Sequence, residues 1–257
     1  MEIHKTAIIH SKAKLADTVI VGPYTSVGEG VVLSDGVKVG QGCVIEGNTA
    51  IGKNCELFSG AVIGSIPQDR KYKEEEKTYL EIGENNIFRE YVTINPGTGE
   101  GGKTAIGNDN LLMAYSHVAH DCVIGDNCTL ANVGTLAGHV TLEDGAVVGG
   151  LTAIHQFVRL GKLSIIGGCS KVVQDIPPFS TCDGHPARVY GLNSIGLKRS
   201  NFSLDLIRNL KKAFKLLFFS NLTKKHAVEE MKKQISLTDD IKHLIDFVES
   251  SKRGLCS

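Results

Sequence analysis

Aliphatic residues recur along this chain at every sixth position: Ile3, Ile9, Leu15, Val21, Val27, Leu33, Val39, Ile45, Ile51, Leu57 and Ile63. Four residues after each of the first ten stands something small or β-branched, such as Ala7, Val19, Thr25, Cys43 and Ala61, and glycine follows directly at Gly22, Gly28, Gly40, Gly52 and Gly64. The register resumes at Ile82, Phe88 and Ile94, then runs from Ile106 to Val172 for twelve positions in succession. A helix repeats every 3.6 residues and a strand every two, so neither accounts for a period of six. Short strands joined by tight turns do. Three hexads make one triangular coil of a parallel β-helix, with the aliphatic side chains stacked inside. The 26 hexads give nearly nine coils, and at roughly 4.8 Å per coil a prism about 40 Å long.

The pattern breaks twice, at 65–81 and at 95–105, and both stretches are expected to loop out of the prism. The first, "SIPQDRKYKEEEKTYLE", is highly charged; the second, "NPGTGEGGKTA", is glycine-rich. The second lacks the strand–turn–helix setting and Gly-Lys-Ser/Thr ending of a phosphate-cradling P-loop, so it reads as a flexible loop. Pro177 and Pro178 in "QDIPPF" are expected to end regular pairing, because proline cannot donate to a ladder. From Ser203, whose hydroxyl suits an N-cap, the period turns helical through Leu206, Ile207, Leu210, Phe214 and Leu217. Two more helices are predicted near 223–235 and 239–251. The chain thus divides into a β-helix domain, 1–190, and an α-helical domain, 191–257, which covers the open end of the coil stack.

Composition narrows the function classes. Lysine plus arginine equals aspartate plus glutamate, 28 against 28, so no overall field favours nucleic acid or an anionic membrane. The start "MEIHKTAIIH" has no signal-peptide pattern, and no window approaches the roughly 18 apolar residues of a membrane span. The seven cysteines include no Cys-x-x-Cys pair and are odd in number, which suits buried, reduced thiols in a cytoplasmic protein.

The stretch "SHVAHDC", 116–122, carries the chemistry. In an eighteen-residue coil, residues eighteen apart lie one above another. His120, Gly138 and Gln156 each fall two residues after an aliphatic position and form one column. His139 and His155 lie beside it, and His117 is placed in the turn before His120, near the same corner. A neutral imidazole can remove a proton from an attacking hydroxyl, and the Gly138 N–H, unshielded by a side chain, can donate to a developing oxyanion. The column therefore suits acyl transfer, with His120 as base and Gly138 as oxyanion donor. Asp121 is the weaker candidate, since adjacent side chains on a strand point apart. A rival is zinc held by three histidines at a subunit boundary, as in hexapeptide-repeat carbonic anhydrases. The ridge lacks the ligand spacing expected there, so no metal site is predicted. Flat prism faces and histidines on a ridge imply a homotrimer with active sites in the clefts between subunits.

The runs "DNLLMAYSHVAHDCVIG", "LAGHVTLEDGAVVGGLTAIHQF", "GGCSKVVQDIPP" and "GLNSIGLKRSNFS", with "PQDRKY" in the charged loop, closely resemble the UDP-N-acetylglucosamine 3-O-acyltransferases. The resemblance spans the chain. It implies a mainly β fold, a left-handed parallel β-helix with a C-terminal α-helical domain. It implies transfer of a 3-hydroxyacyl chain from acyl carrier protein to the glucosamine 3-position of a UDP-sugar, at the start of lipid A synthesis. No dissociable cofactor is implied, since the phosphopantetheine arrives on the carrier protein. Carried over by residue, it makes His117, His139, His155 and Gln156 substrate-shaping groups. It makes Asp69 the residue that engages the glucosamine ring, Lys71 a diphosphate contact, and Asn193 and Arg199 nucleotide ligands. Gly168 matches a position that sets acyl-chain length. Ile195 stands where some members have a glutamate, so a carboxylate for the ribose hydroxyls is missing. The 3-amino analogue of the sugar, another nucleotide sugar, and a metal-binding or purely structural hexapeptide-repeat protein are the alternative readings.

Overall fold

The computed structural model describes residues 1–73 and 75–257; Glu74, within the excursion expected at 65–81, lies outside the described residues. The hexads become short strands, mostly of two residues, in sheets of eleven, nine and eight strands, parallel throughout except for the last strand of the first. The first sheet starts at Glu2–Ile3, the second at Ile8–Ile9 and the third at Lys14–Leu15. In the second sheet Val118 pairs with Leu136, Leu136 with Ile154 and Ile154 with Val172, each eighteen residues apart. The sixth-position residues are the core: Ile45, Ile63, Leu112, Val118, Leu130 and Leu136 are fully buried. Each such side chain contributes about 1.5–3 kcal/mol relative to an exposed one, and each coil adds three. Alternating sheets are joined at corners where one residue often adopts the left-handed region, as Asn54, Asn85, Tyr91, Asp109, Tyr115, Asp121 and His139 do. That conformation turns the chain sharply onto the next face.

Ile82 pairs with Ile51, 31 residues away, and Ile106 with Ile82, 24 away. The excursions therefore leave and rejoin the same ladder without shifting its register. Pairing resumes at Tyr79 and at Lys103, inside the stretches expected to loop out. The prolines do not end pairing either. The strand Ser180–Gly184 adds to the first sheet beside Ile165–Ile166 and then turns back, antiparallel, into Ala187–Leu192.

Four helices follow: α1 (Ser194–Arg199), α2 (Leu204–Phe218), α3 (Lys224–Gln234) and α4 (Asp239–Ser250). The hydroxyl of Ser203 accepts from the Leu206 N–H, capping α2 as its sequence suggests. Short α1 was not anticipated. The buried faces of α2–α4 meet around Phe179, Leu210, Phe214, Met231 and Leu244, forming a second core at the end of the prism. The last residues return to it: Asp175 N–H donates to Gly254 O and Cys256 N–H to Asp175 O. Six cysteines are buried, and burial pushes the Cys122 and Cys128 thiols up to about 12; Cys169 is exposed, against the expectation that all are interior. Among the described residues no helix is long and apolar enough to cross a membrane.

Candidate active site

The corner between the second and third sheets assembles the histidines. His117 is on the strand His117–Val118, not in a turn as its sequence position suggests, and its Nδ1 lies 2.7 Å from Thr93 Oγ1 on the neighbouring strand. Burial, with the nearby His120 adding to it, lowers the His117 pKa, so this imidazole is neutral at neutral pH. His120 and Asp121 form the corner itself. Asp121 has φ 59°, which rotates its carboxylate back toward its neighbour, and His120 Nδ1 lies 2.8 Å from Asp121 Oδ2. The expectation that these two side chains diverge fails because they sit on a left-handed turn and not on a strand. Asp121 also accepts from Thr98, at 2.6 Å from Oγ1 and 3.1 Å from N. Burial favours its neutral form, but the bonds from Thr98 and His120 outweigh this and hold the carboxyl below its ordinary value.

One coil above, a Cβ on Gly138 would fall 2.5 Å from His120 Cε1 and 2.7 Å from Nε2. The backbone thus lies against the imidazole as only glycine permits. The Gly138 N–H makes no hydrogen bond among the described residues, while the flanking amides Ala137 and His139 donate to Ile154 O and His120 O. His139 meets His120 edge to face, with centroids 5.2 Å apart, and stacks on Phe157 at 4.6 Å. His155 and Gln156 are exposed one tier higher, where Arg253 Nη2 approaches His155 Nδ1 at 3.2 Å.

The charged excursion folds over this corner. Asp69 Oδ2 lies 4.0 Å from His120 Nε2, and Asp69 Oδ1 accepts from the Lys71 N–H. Lys71 itself is exposed. Asn193 and Arg199 are elsewhere. Asn193 caps α1, its Oδ1 accepting from Gly196 N and its Nδ2 donating to Leu163 O, so both ends of the amide are engaged within the fold. Leu163 lies at the corner between the third and first sheets, a different ridge from His120. Arg199 closes α1 and Ile195 projects from it, both exposed. Gly168 is on the third ridge, between the first and second sheets, and a Cβ there would lie 3.1 Å from Gly150 O.

Three partners of the site escaped sequence reasoning. Thr98 belongs to the glycine-rich excursion read as flexible, yet it ties that loop to Asp121. Thr93 and Phe157 fill positions that the hexad rule leaves unassigned. The donor atoms of His120, Asp121 and His139 all lie within 4.8 Å of one another. That spacing is also compatible with a metal ion.

Residues 175–256 match the family described as UDP-N-acetylglucosamine O-acyltransferase, domain 2, and residues 103–133 match the bacterial transferase hexapeptide repeats. The acyl-[acyl-carrier-protein]–UDP-N-acetylglucosamine O-acyltransferase of Thermodesulfovibrio yellowstonii is 50% identical over 256 residues, 99% of each chain. The UDP-N-acetylglucosamine acyltransferase structure from Bacteroides fragilis superposes with a TM-score of 0.96 at 37% identity, again over 99% of each chain. The enzyme from Campylobacter jejuni gives 0.93 at 40%, over 99% of each. The prism is accordingly a left-handed parallel β-helix with a small C-terminal helical domain. With 99% of its length aligned at 50% identity, this chain belongs to the acyl-[acyl-carrier-protein]–UDP-N-acetylglucosamine O-acyltransferase family.

Proposed function

We propose that this protein moves a 3-hydroxyacyl chain from acyl carrier protein to the 3-hydroxyl of UDP-N-acetylglucosamine, the first step of lipid A biosynthesis. With Nδ1–H donating to Asp121, the lone pair of His120 is on Nε2. Nε2 takes the hydroxyl proton as the sugar oxygen bonds to the thioester carbon. The Gly138 N–H donates to the resulting oxyanion. Collapse then breaks the carbon–sulfur bond, and His120 returns its proton to the leaving thiolate. Asp121 keeps the imidazole in the required tautomer and stabilises its charged form. The single observation that carries this reading is the His120 ring held against the side-chain-free backbone of Gly138. In this reading Asp69, close to Nε2, receives a ring hydroxyl, and Lys71 beside it a phosphate.

The catalytic unit is a homotrimer in this reading. Asn193, bonded to the Leu163 ridge, and Arg199, on the helix that Asn193 caps, lie away from the His120 corner of their own chain, so a neighbouring copy supplies them; Arg199 offers a fork suited to phosphate. The chemistry is carried by protein groups, and the reaction runs in the cytoplasm. Mass spectrometry of products from acyl carrier protein loaded with 3-hydroxyacyl chains, offered UDP-N-acetylglucosamine or its 3-amino analogue, tests the proposal. An ester at the sugar 3-oxygen supports it, and no product from either acceptor overturns it. The proximity of His120, Asp121 and His139 donors favours a second reading, a metal site. Turnover that dies on chelation and returns with zinc would select it.

A further inference from the structure

Beside the histidine corner, a cavity of about 360 Å³ is lined by Phe157, Arg159, Asp175, Ser250, Lys252 and Arg253. Its wall is continuous with the reaction centre, since Phe157 stacks on His139, which packs against His120. Its charges are unequal. The Arg159 guanidinium is fully committed: Nε to Asp175 at 3.4 Å, Nη1 to Ser250 Oγ, Nη2 to Phe247 O, and its face on the Phe247 ring at 4.2 Å. Asp175 is equally occupied, accepting from Arg159 N and Nε and from Ser251 Oγ. That pair cancels. Lys252 and Arg253 pair with no carboxylate among the described residues. Arg253 donates from Nε to Val173 O and reaches His155 Nδ1 with Nη2, which leaves its Nη1 free. A chain of zero net charge therefore holds two uncompensated cations in a cavity at the edge of the reaction corner.

We infer that this cavity binds a phosphodiester, the one at the far end of the acyl donor's pantetheine arm, through Arg253 and Lys252. The inference rests on the acyltransferase reading above. Reach supports it. About thirteen bonds separate the thioester sulfur from the phosphorus, roughly 15 Å when extended, taking 3.5 Å per three bonds. The cavity lies two to three coils above His120, since Phe157 belongs to the second coil up and Asp175 to the third. That is roughly 10–14 Å at 4.8 Å per coil. A donor with its carbonyl at the mouth of the His120–Gly138 corner would lay its arm up the ridge past Gln156 and end on these cations. Charge-assisted bonds to a phosphate are the strong class.

The test compares two donors, a 3-hydroxyacyl-phosphopantetheine and the same thioester without the phosphate, with wild type, Arg253→Gln and Lys252→Gln. Wild type is expected to prefer the phosphorylated donor in kcat/KM. Arg253→Gln is expected to cut that preference by about tenfold or more, and Lys252→Gln, at an exposed position free of packing, by about threefold. An unchanged preference in both variants overturns the inference. So does a loss that appears as a raised KM for UDP-N-acetylglucosamine, which would assign the cations to the acceptor's diphosphate. If wild type acylates the sugar from neither donor nor from loaded carrier protein, the acyltransferase reading itself fails, a result distinct from a preference that the variants leave intact.

Discussion

Gly138→Ala turns the close approach at the histidine corner into a measurable quantity. The new Cβ would sit 2.5 Å from His120 Cε1, where ordinary contact begins at 3.4 Å. The ring edge must therefore retreat about 0.9 Å. The fold can absorb this, because the obstacle is a side chain 16% exposed and not backbone. The chemistry cannot. Retreat lengthens the 2.8 Å bond to Asp121, and losing a charge-assisted hydrogen bond costs about 1.5–3 kcal/mol. A misplacement of about 1 Å costs on the order of 10²-fold in rate by itself. The two losses overlap, so kcat/KM should fall about 10²–10³-fold while UDP-sugar binding, followed by calorimetry, stays within a few-fold. Gly28→Ala is the control. It lies one residue after an aliphatic position of the same sheet, far from the corner, with its nearest contact at 3.3 Å, and should keep near-normal turnover. A Gly138→Ala enzyme within fivefold of wild type would refute the claim that this amide lies on the reacting imidazole.

Three other outcomes follow from the same geometry. His120→Ala should lose about 10²–10⁴ in turnover and still bind UDP-sugar product, whereas His117→Ala should weaken binding and turnover together by about tenfold; equal losses in the two variants would contradict the division of roles. Gly168→Met should shift preference toward shorter acyl chains with little change in nucleotide affinity, and an unchanged chain-length profile would place the acyl tail elsewhere. His243 on α4 meets Glu143 on the prism at 2.7 Å, and that bond raises its pKa against the effect of burial, with Lys162 opposing and Asp240 assisting. A raised folded pKa adds stability that is complete below the ordinary value of about 6.5 and vanishes as pH climbs through the folded value. With His243 39% exposed, screening limits this to under about 1 kcal/mol, or roughly 2–4 °C in Tm. His243→Gln should melt lower than wild type at pH 6 and converge with it in alkali, and a gap independent of pH would exclude the ion pair as its source.

What the sequence disclosed and what it withheld divide along one physical line. Inside the prism each side chain is fixed by the one eighteen residues away, so position in the hexad determines position in space. That is why the column His120, Gly138, Gln156 could be drawn from spacing alone, and why Val118, Leu136 and Ile154 are found in register. The rule governs strands. At corners a single left-handed residue redirects the chain, and Asp121 swings onto His120 because φ is 59° there. Treating the pair as strand neighbours reversed the answer. Nothing periodic places Thr98 against Asp121 either, because its loop is an insertion whose path depends on tertiary contacts, such as Lys77 N–H donating to Glu100. Arg253 reaches His155 only because the chain end folds back along Asp175. Asn193 did have a local signal, an asparagine three residues before the Gly196 amide that it caps.

The same line explains where the chemistry sits. A hexad prism is rigid and repetitive, so its faces alone would carry identical ladders. Specificity enters where the repeat is broken. Asp69 comes from the first insertion and Thr98 from the second, and each reaches the corner where the repeat brings His120, His139 and Gly138 together. Insertions placed elsewhere would cost the ladder equally little, since Ile51, Ile82 and Ile106 pair in register whatever the length between them. In the mechanism proposed above, the prism supplies fixed positions for His120 and the Gly138 amide, and the loops supply the groups that orient and select around them. Removing Thr98 should then act on Asp121 and not on the fold. Thr98→Val deletes the 2.6 Å bond to the carboxylate and is expected to lower kcat by about tenfold, the worth of one hydrogen bond to a charged group, with Tm nearly unchanged. A variant that loses several degrees of Tm but keeps kcat would show that the glycine-rich loop braces the prism and has no hold on the imidazole.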